Sequence, residues 1–515
     1  MKTIAMATGS AVAAALLATA VPAVADTVLN VAFVQDIRGT QPGVDRDGQT
    51  DTVQMHVVEG LVAYATDFSV KPMLAESIEE SEDGLTYTFP LRHGVTFHNG
   101  AEMTAEEVKW SWDRYMDPAT NWRCRSYFSG EDGPEVTAME VVDPYTVRFT
   151  LASPSATFLG NLARFDCGST AVLHPDSVDA EGNWVAPVGT GPFTFGDIRP
   201  GQYVELLKFP DYVSRTDEPD GYAGAKEALV DRVRFNILPE AAVKKTAFLA
   251  GDLDISTIDP SDIDEIEAAP GNVVQTVQTA VWDAILINTR DPLLSDKRIR
   301  KAIALSIDPE QMVAVVTEGK GSPNPSPVPP MSAFYGETEA KGIGYDPEQA
   351  KALLEEAGYD GAPITILTNR RAGGYFERAL VAQAMMAEVG LNAQLETMEW
   401  GTQLDKYVTG DYQMQSFAYS TRLDPALSFE MITGDHPRKV FRTPEAMELV
   451  EQAMTVSEPA KRQAIIDQLH EAFLEEVPAI SVNHRVMFYA MKDHVSGFRG
   501  WGAAKEIYWN VGLAE

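Results

Sequence analysis

The chain has 515 residues, with 41 Lys and Arg against 75 Asp and Glu, a formal net charge of −34 and a sequence pI near 4.6. That length exceeds what one hydrophobic core organises, so two or more lobes are expected. The charge argues against nucleic acid and anionic membrane surfaces as partners, because no basic run is present to neutralise phosphates; the excess of carboxylates reads as a solvated surface.

Residues 1–25 read as a secretory leader. Lys2 is the only charge before Asp26, an apolar run spans Ala11 to Ala20, and Ala23-Val24-Ala25 is an A-x-A cleavage site. The run is too short to span a membrane, and no later segment approaches the roughly 20 apolar residues a span needs. No cysteine lies near the cleavage point, so no lipid anchor is expected, and the unanchored product points to the periplasm. Cys124 and Cys167 are the only cysteines. Export puts them where disulfides persist, and a bridge between them is expected, two buried thiols being the alternative.

Val28 to Phe33 reads as the first strand. A polar stretch follows from Gln35 to Asp51; its Asp45-Arg46-Asp47-Gly48 lacks the later ligands and bidentate Glu of a calcium loop. Leu85, Tyr87, Phe89 and Leu91 alternate as in a strand. Thr104 and Glu107 form a capping box, and Val108, Trp112 and Tyr115 give the helix after it an apolar face. Tyr145 to Leu151 alternates again. Pro187 to Phe193 is a turn in which Pro192 removes a donor that a phosphate cradle would use.

Further along, Val233, Phe235 and Ile237 mark a strand, and the helix Ala241 to Ala250 stops at Gly251. Trp282 to Asn288 is an apolar strand, and Ser295 is read as the cap of a helix with Ile299, Ala302 and Ile303 on its buried face. Five prolines between Gly319 and Pro330 exclude regular structure. Asp346 as N-cap, Pro347 at the first helical position and Gly358 as stop bracket a helix. A strand from Ile364 to Leu367, a helix from Phe376 to Val389 and a strand from Leu391 to Met398 make a β-α-β unit. A last helix runs from Pro459 to Glu475. No H-E-x-x-H, G-x-S-x-G or S-x-x-K is present, and His93 and His98 read as turn residues, so neither a metal, a cofactor nor catalysis is expected.

The string Asp83-Gly-Leu-Thr-Tyr-Thr-Phe-Pro-Leu-Arg-His-Gly-Val-Thr-Phe-His-Asn-Gly, running on to Thr104-Ala-Glu-Glu-Val108, closely resembles the signature of family 5 extracellular solute-binding proteins, the peptide, nickel and opine receptors of ABC importers. Pro187 to Phe193, Gly251 to Ile255 and the element ending at Ile307-Asp308 resemble further motifs of that family, in family order. The resemblance implies an α/β, two-lobe periplasmic-binding-protein fold of the type II, large peptide-binding class. The first lobe would span 26–280 with an accessory subdomain at about 51–177, the second 281–487, and 488–515 would return to the first, with hinge crossings near Val281 and Met487. A monomer would capture a small polar solute between the lobes, a short peptide or a related amino-acid-derived or organic acid. It would deliver the solute to an inner-membrane ABC permease by transient docking. The alternatives are a ligand-presenting signalling receptor subunit and a secreted hydrolase on a similar scaffold.

Three loops supply candidate ligand contacts. Arg370, Arg371 and Tyr375 stand at a helix entrance, where guanidinium forks and the helix dipole favour an anion; the resemblance implies that an arginine here holds a peptide carboxylate. In Phe417 to Pro425, matching Asp424-Pro425 to the family's terminal D-P puts Thr421 where relatives carry the Asp that grips a peptide amine. Arg422 adds positive charge there, and Tyr419 stands at a pocket-aromatic position. Trp282 and Trp400 are candidate walls, with a place in the core as the alternative for each, and Gln35, Asp36 and Arg38 follow the first strand, where relatives contact ligand or close the cleft. Arginines at 38, 370, 371 and 422 against Asp36 point to a solute with an acidic group.

Overall fold

A computed structural model describes residues 26–371 and 373–514; the leader sequence at 1–25 lies outside the described residues. The molecule is built on one ten-stranded sheet. Its order is Ala393–Thr397, Ile364–Thr368, Met414–Tyr419, Asn272–Ile287, Ala479–Lys492, Ile255–Ile258, Val28–Phe33, Arg232–Ile237, Tyr203–Lys208 and Phe193–Arg199. Val28–Phe33 runs parallel to both its neighbours, as does Ile364–Thr368 at the other end. The parallel pairs follow from the strand-helix-strand order of the chain, since only a crossover can bring the next strand in parallel.

Two strands of this sheet are much longer than the rest and lie side by side, antiparallel: Asn272–Ile287 and Ala479–Lys492. They pass from one hydrophobic core into another. Val277 and Ala280 belong to the first core, which also takes Phe498, Trp501, Tyr508, Trp509 and Val511 from the end of the chain. Beyond them the first strand alternates between two further cores on opposite faces, with Ile285 and Ile287 on one and Trp282, Ala284 and Leu286 on the other. Their pairing slips between Gln278 and Trp282. Donors that leave the ladder there are met elsewhere: Ala280 N donates to Gly502 O at 2.8 Å, and Val281 N to Thr279 Oγ1 at 3.2 Å.

A separate four-stranded antiparallel sheet, ordered Glu79–Glu80, Thr86–Pro90, Thr146–Leu151 and Val136–Asp143, packs in the first lobe. The helix Ala105–Met116 covers it with Val108, Trp112 and Tyr115 buried. Thr104 caps that helix, and its backbone N–H donates back to Glu107 Oε2 at 2.9 Å, closing the capping box. Asp346, Pro347 and Gly358 bracket the helix Pro347–Ala357, Gly358 taking φ +68. One expected cap moves by a residue. Asp296, not Ser295, caps Lys297–Ser306, because its carboxylate accepts from Arg298 N at 2.9 Å while Ser295 Oγ donates back to Pro292 O. Among the described residues no helix is long and apolar enough to cross a membrane.

Cys124 and Cys167 are joined in a disulfide with a Cα separation of 5.6 Å. It ties the segment after the helix Ala105–Met116 to the turn at Phe165–Thr170.

Candidate functional site

Two cavities meet the long strands from the same side. Val281 lines one and Asp283 the other. Residues two apart on a strand share a face and stand about 7 Å from each other; Trp282 between them points into the core.

The larger cavity, about 640 Å³, is formed by Thr257–Pro260 of the first lobe, the helix end and turn Val315–Glu318, Arg370, Arg371, Gly373 and Gly374, and Asn483 and Arg485–Phe488 of the long strand. Arg370 and Arg371 are exposed here. Arg370 lies over the Phe376 ring at 3.9 Å and Arg371 over Trp400 at 5.2 Å, each within cation–π range of an aromatic ring. Beneath them Asp283 grips two more arginines, Arg485 at 2.7 Å and the fully buried Arg378 at 3.4 Å. Burial works against the charge of both. For Arg485 the adjacent carboxylate outweighs burial and holds the guanidinium more firmly protonated; for Arg378 burial prevails. Tyr375 is buried, its ring 5.4 Å from Arg378 and 5.8 Å from Arg485. Gly373 has φ +113, and a Cβ on it would stand 2.8 Å from Arg485 Nη1, so the loop passes this guanidinium only as glycine. Four arginines line this cavity, and so do four carboxylates: Asp259, Asp283, Glu318 and Glu377.

The smaller cavity, about 370 Å³, takes Arg46, Tyr64, Arg123, Tyr127, Arg164 and Lys505 from the first lobe and Ser420–Leu423 from the second. Arg164 pairs with Asp166 through two hydrogen bonds of 2.9 and 2.8 Å and lies over the Tyr127 ring. Arg422 donates to the carbonyls of Ser420 and Thr421 and to Ser420 Oγ. Burial lowers its pKa first, and the Arg164 charge lowers it further.

The candidates read from the sequence therefore separate. Arg370 and Arg371 reach one cavity, and Thr421 and Arg422 the other; Trp400 forms a half-buried floor under Arg371. Trp282 and Tyr419 stack on each other at 5.3 Å inside the second lobe, 3% and 5% exposed, with Trp282 Nε1 donating to Ser481 Oγ. These two rings are core rather than cleft wall. Asp424 caps the helix Pro425–Glu430 and pairs with Arg462 at 2.7 Å, which commits its carboxylate to the fold. Gln35, Asp36 and Arg38 line neither cavity: Gln35 N donates to Gln49 Oε1, Asp36 accepts from Gly201 N, and Arg38 pairs with Asp47. Sequence reading missed Asp283, Arg378 and Arg485, and the whole first-lobe set of the smaller cavity. A lone Arg or Asp in a strand carries no local signal; the polar 35–51 stretch and the residues flanking the two cysteines were the available hints.

Two lobes crossed by a pair of shared strands, with charged cavities where they meet, define a solute-binding protein of the type II periplasmic-binding-protein fold. The chain matches the Bacterial extracellular solute-binding proteins, family 5 Middle, over residues 69–437, and it belongs to that family, as a solute-binding component of a bacterial ABC importer. Among curated relatives, Di/tripeptide-binding protein 2 of Pseudomonas aeruginosa (strain UCBPP-PA14) is 27% identical over 90% of this chain and 90% of its own length. Di/tripeptide-binding protein 4 of the same organism is 30% identical over 83% and 84%. The solved structure of HbpA2 from Haemophilus parasuis, 24% identical, covers 95% of this chain and 100% of its own at a TM-score of 0.82.

Proposed function

We propose that the chain captures a small polar solute, a short peptide or a related amino-acid-derived or organic acid, where the two cavities meet, and hands it to an inner-membrane permease. The relatives whose names specify di- and tripeptides support a solute of that size and chemistry. The observation that carries the reading is the position of the cavities. Each draws residues from both lobes, so a solute in them touches both at once and favours the closed arrangement. The first lobe runs from 26 to 280, with 51–177 as accessory subdomain, and the second from 281 to 487. The hinge lies where pairing slips near Val281 and on the facing strand near Met487. The protein works as a periplasmic monomer that docks on the permease transiently and turns nothing over.

A thermal-shift screen of the purified chain over short peptides, opine-type conjugates, organic acids and sugars tests this. A bound solute at a hundred times its dissociation constant adds about 2.7 kcal/mol and is recovered unchanged. A shift confined to uncharged sugars, or conversion of the solute, sinks the proposal.

A further inference from the structure

The two cavities differ in charge, and the difference runs against the rest of the molecule. In the larger one arginines and carboxylates are equal in number. In the smaller one five cations, Arg46, Arg123, Arg164, Arg422 and Lys505, stand with a single lining carboxylate, Asp166. Asp166 is taken up by Arg164. Behind the lining, Asp51 lies 3.2 Å from Arg46 and 3.8 Å from Lys505. Glu506, half-buried next to Lys505 in the chain, accepts from the Tyr489 hydroxyl at 3.2 Å. Burial pushes both of these carboxyls up, toward the neutral form. Even with all three carboxylates ionised, two positive charges are left over. Arg422 spends its hydrogen bonds on its own loop, and Arg123 is exposed with no carboxylate in ion-pair contact among the described residues. A chain of net charge −34 keeps this excess at one place, between its lobes.

We infer that the smaller cavity, walled by Arg123, Arg164 and Arg422, is the seat of an acidic group of the solute, and that the mixed cavity at Arg370 and Arg371 receives its zwitterionic or neutral polar part. The inference rests on the proposed function and deepens it by fixing the orientation of the solute. It reverses the orientation expected from the sequence, where Arg370 and Arg371 were to hold the acid. The charge count is the reason. Guanidinium forks not already matched by carboxylates are what a planar acid group pairs with, and the larger cavity has its own carboxylates to compete for its arginines. The seat is also fixed in shape: Arg123 and Tyr127 flank Cys124, Arg164 and Asp166 precede Cys167, and the disulfide joins the two segments.

The test pairs acid-bearing probes with their mono-amides: succinyl-dipeptides, glutamyl-dipeptides and straight diacids of four to eight carbons. Binding to the intact chain is measured by calorimetry, with Arg422→Gln, Arg123→Gln and Arg371→Gln as variants checked for unchanged melting. The wild type is expected to bind at least one acid ten-fold or more tighter than its mono-amide. Arg422→Gln or Arg123→Gln should abolish that preference, while Arg371→Gln weakens acid and amide alike. Loss of the preference in Arg371→Gln alone, or the mono-amides binding as tightly as every acid, overturns the inference and leaves the proposed function standing. Silence of these probes together with the wider solute screen overturns both.

Discussion

Asp283 sits 3% exposed between two guanidiniums, one of them on the fully buried Arg378. Removing a single carboxylate from such a cluster leaves a buried positive charge with no partner, which costs about 3–5 kcal/mol. Asp283→Asn is therefore expected to lower the urea midpoint by a corresponding amount, and Asp283→Asn with Arg378→Met to recover part of the loss. A midpoint unchanged in the single variant would show that the triad does not hold the loop. None of these three residues was legible in the sequence, because each stands alone in a strand or helix and gains its role only from residues far along the chain. Arg371 and Arg422 were legible, since each lies in a loop of a recognisable unit. Trp282 stayed open between wall and core, and Tyr419 was placed in the pocket, for one physical reason: an aromatic at a strand end suits a wall or a core equally until its neighbours are known.

Among elements, the disulfide segment carries the most consequence. Its loop spans 43 residues, and closing it restricts the unfolded chain by about 4 kcal/mol on the chain-entropy estimate. Cys124→Ala with Cys167→Ala should lower stability by roughly 2–4 kcal/mol and weaken an acidic solute ten-fold or more, because both flanking segments line the cavity. Calorimetry on the double variant decides; undiminished affinity with lowered stability would separate the staple from the site. The capped helices at Thr104 and Asp346 and the glycine stop at Gly358 could be read directly, being local chemistry. Strand Ala479–Lys492 and the first half of Asn272–Ile287 could not. Each crosses from one core to another, so its burial never holds the simple alternation that marks a strand.

At the scale of the molecule, acid stability follows from two histidines in different places. His56 lies in the first core, where its Nε2 accepts from Tyr508 N at 2.9 Å, and His484 lies on the second long strand beside Asn324. Burial pushes each down to about 3. The unfolded chain takes up protons near 6.5 and the folded one near 3, so this contribution is whole above 6.5 and is lost as pH falls toward 3. The loss is about 1.4 kcal/mol per pH unit for each residue. Proton NMR should show the His56 and His484 rings still neutral at pH 5; either ring titrating near 6.5 would refute the assignment. The two-lobe plan was readable through family motifs, but the sheet that unites the lobes was not. That sheet has a mechanical consequence. Lobes joined by a loose linker could swing and twist in any direction. Two neighbouring strands of one hydrogen-bonded ladder resist shear and torsion and bend easily only out of the sheet plane. The proposed closure would then have essentially one degree of freedom and would return Arg422 to the same place opposite Arg123 and Arg164 each time.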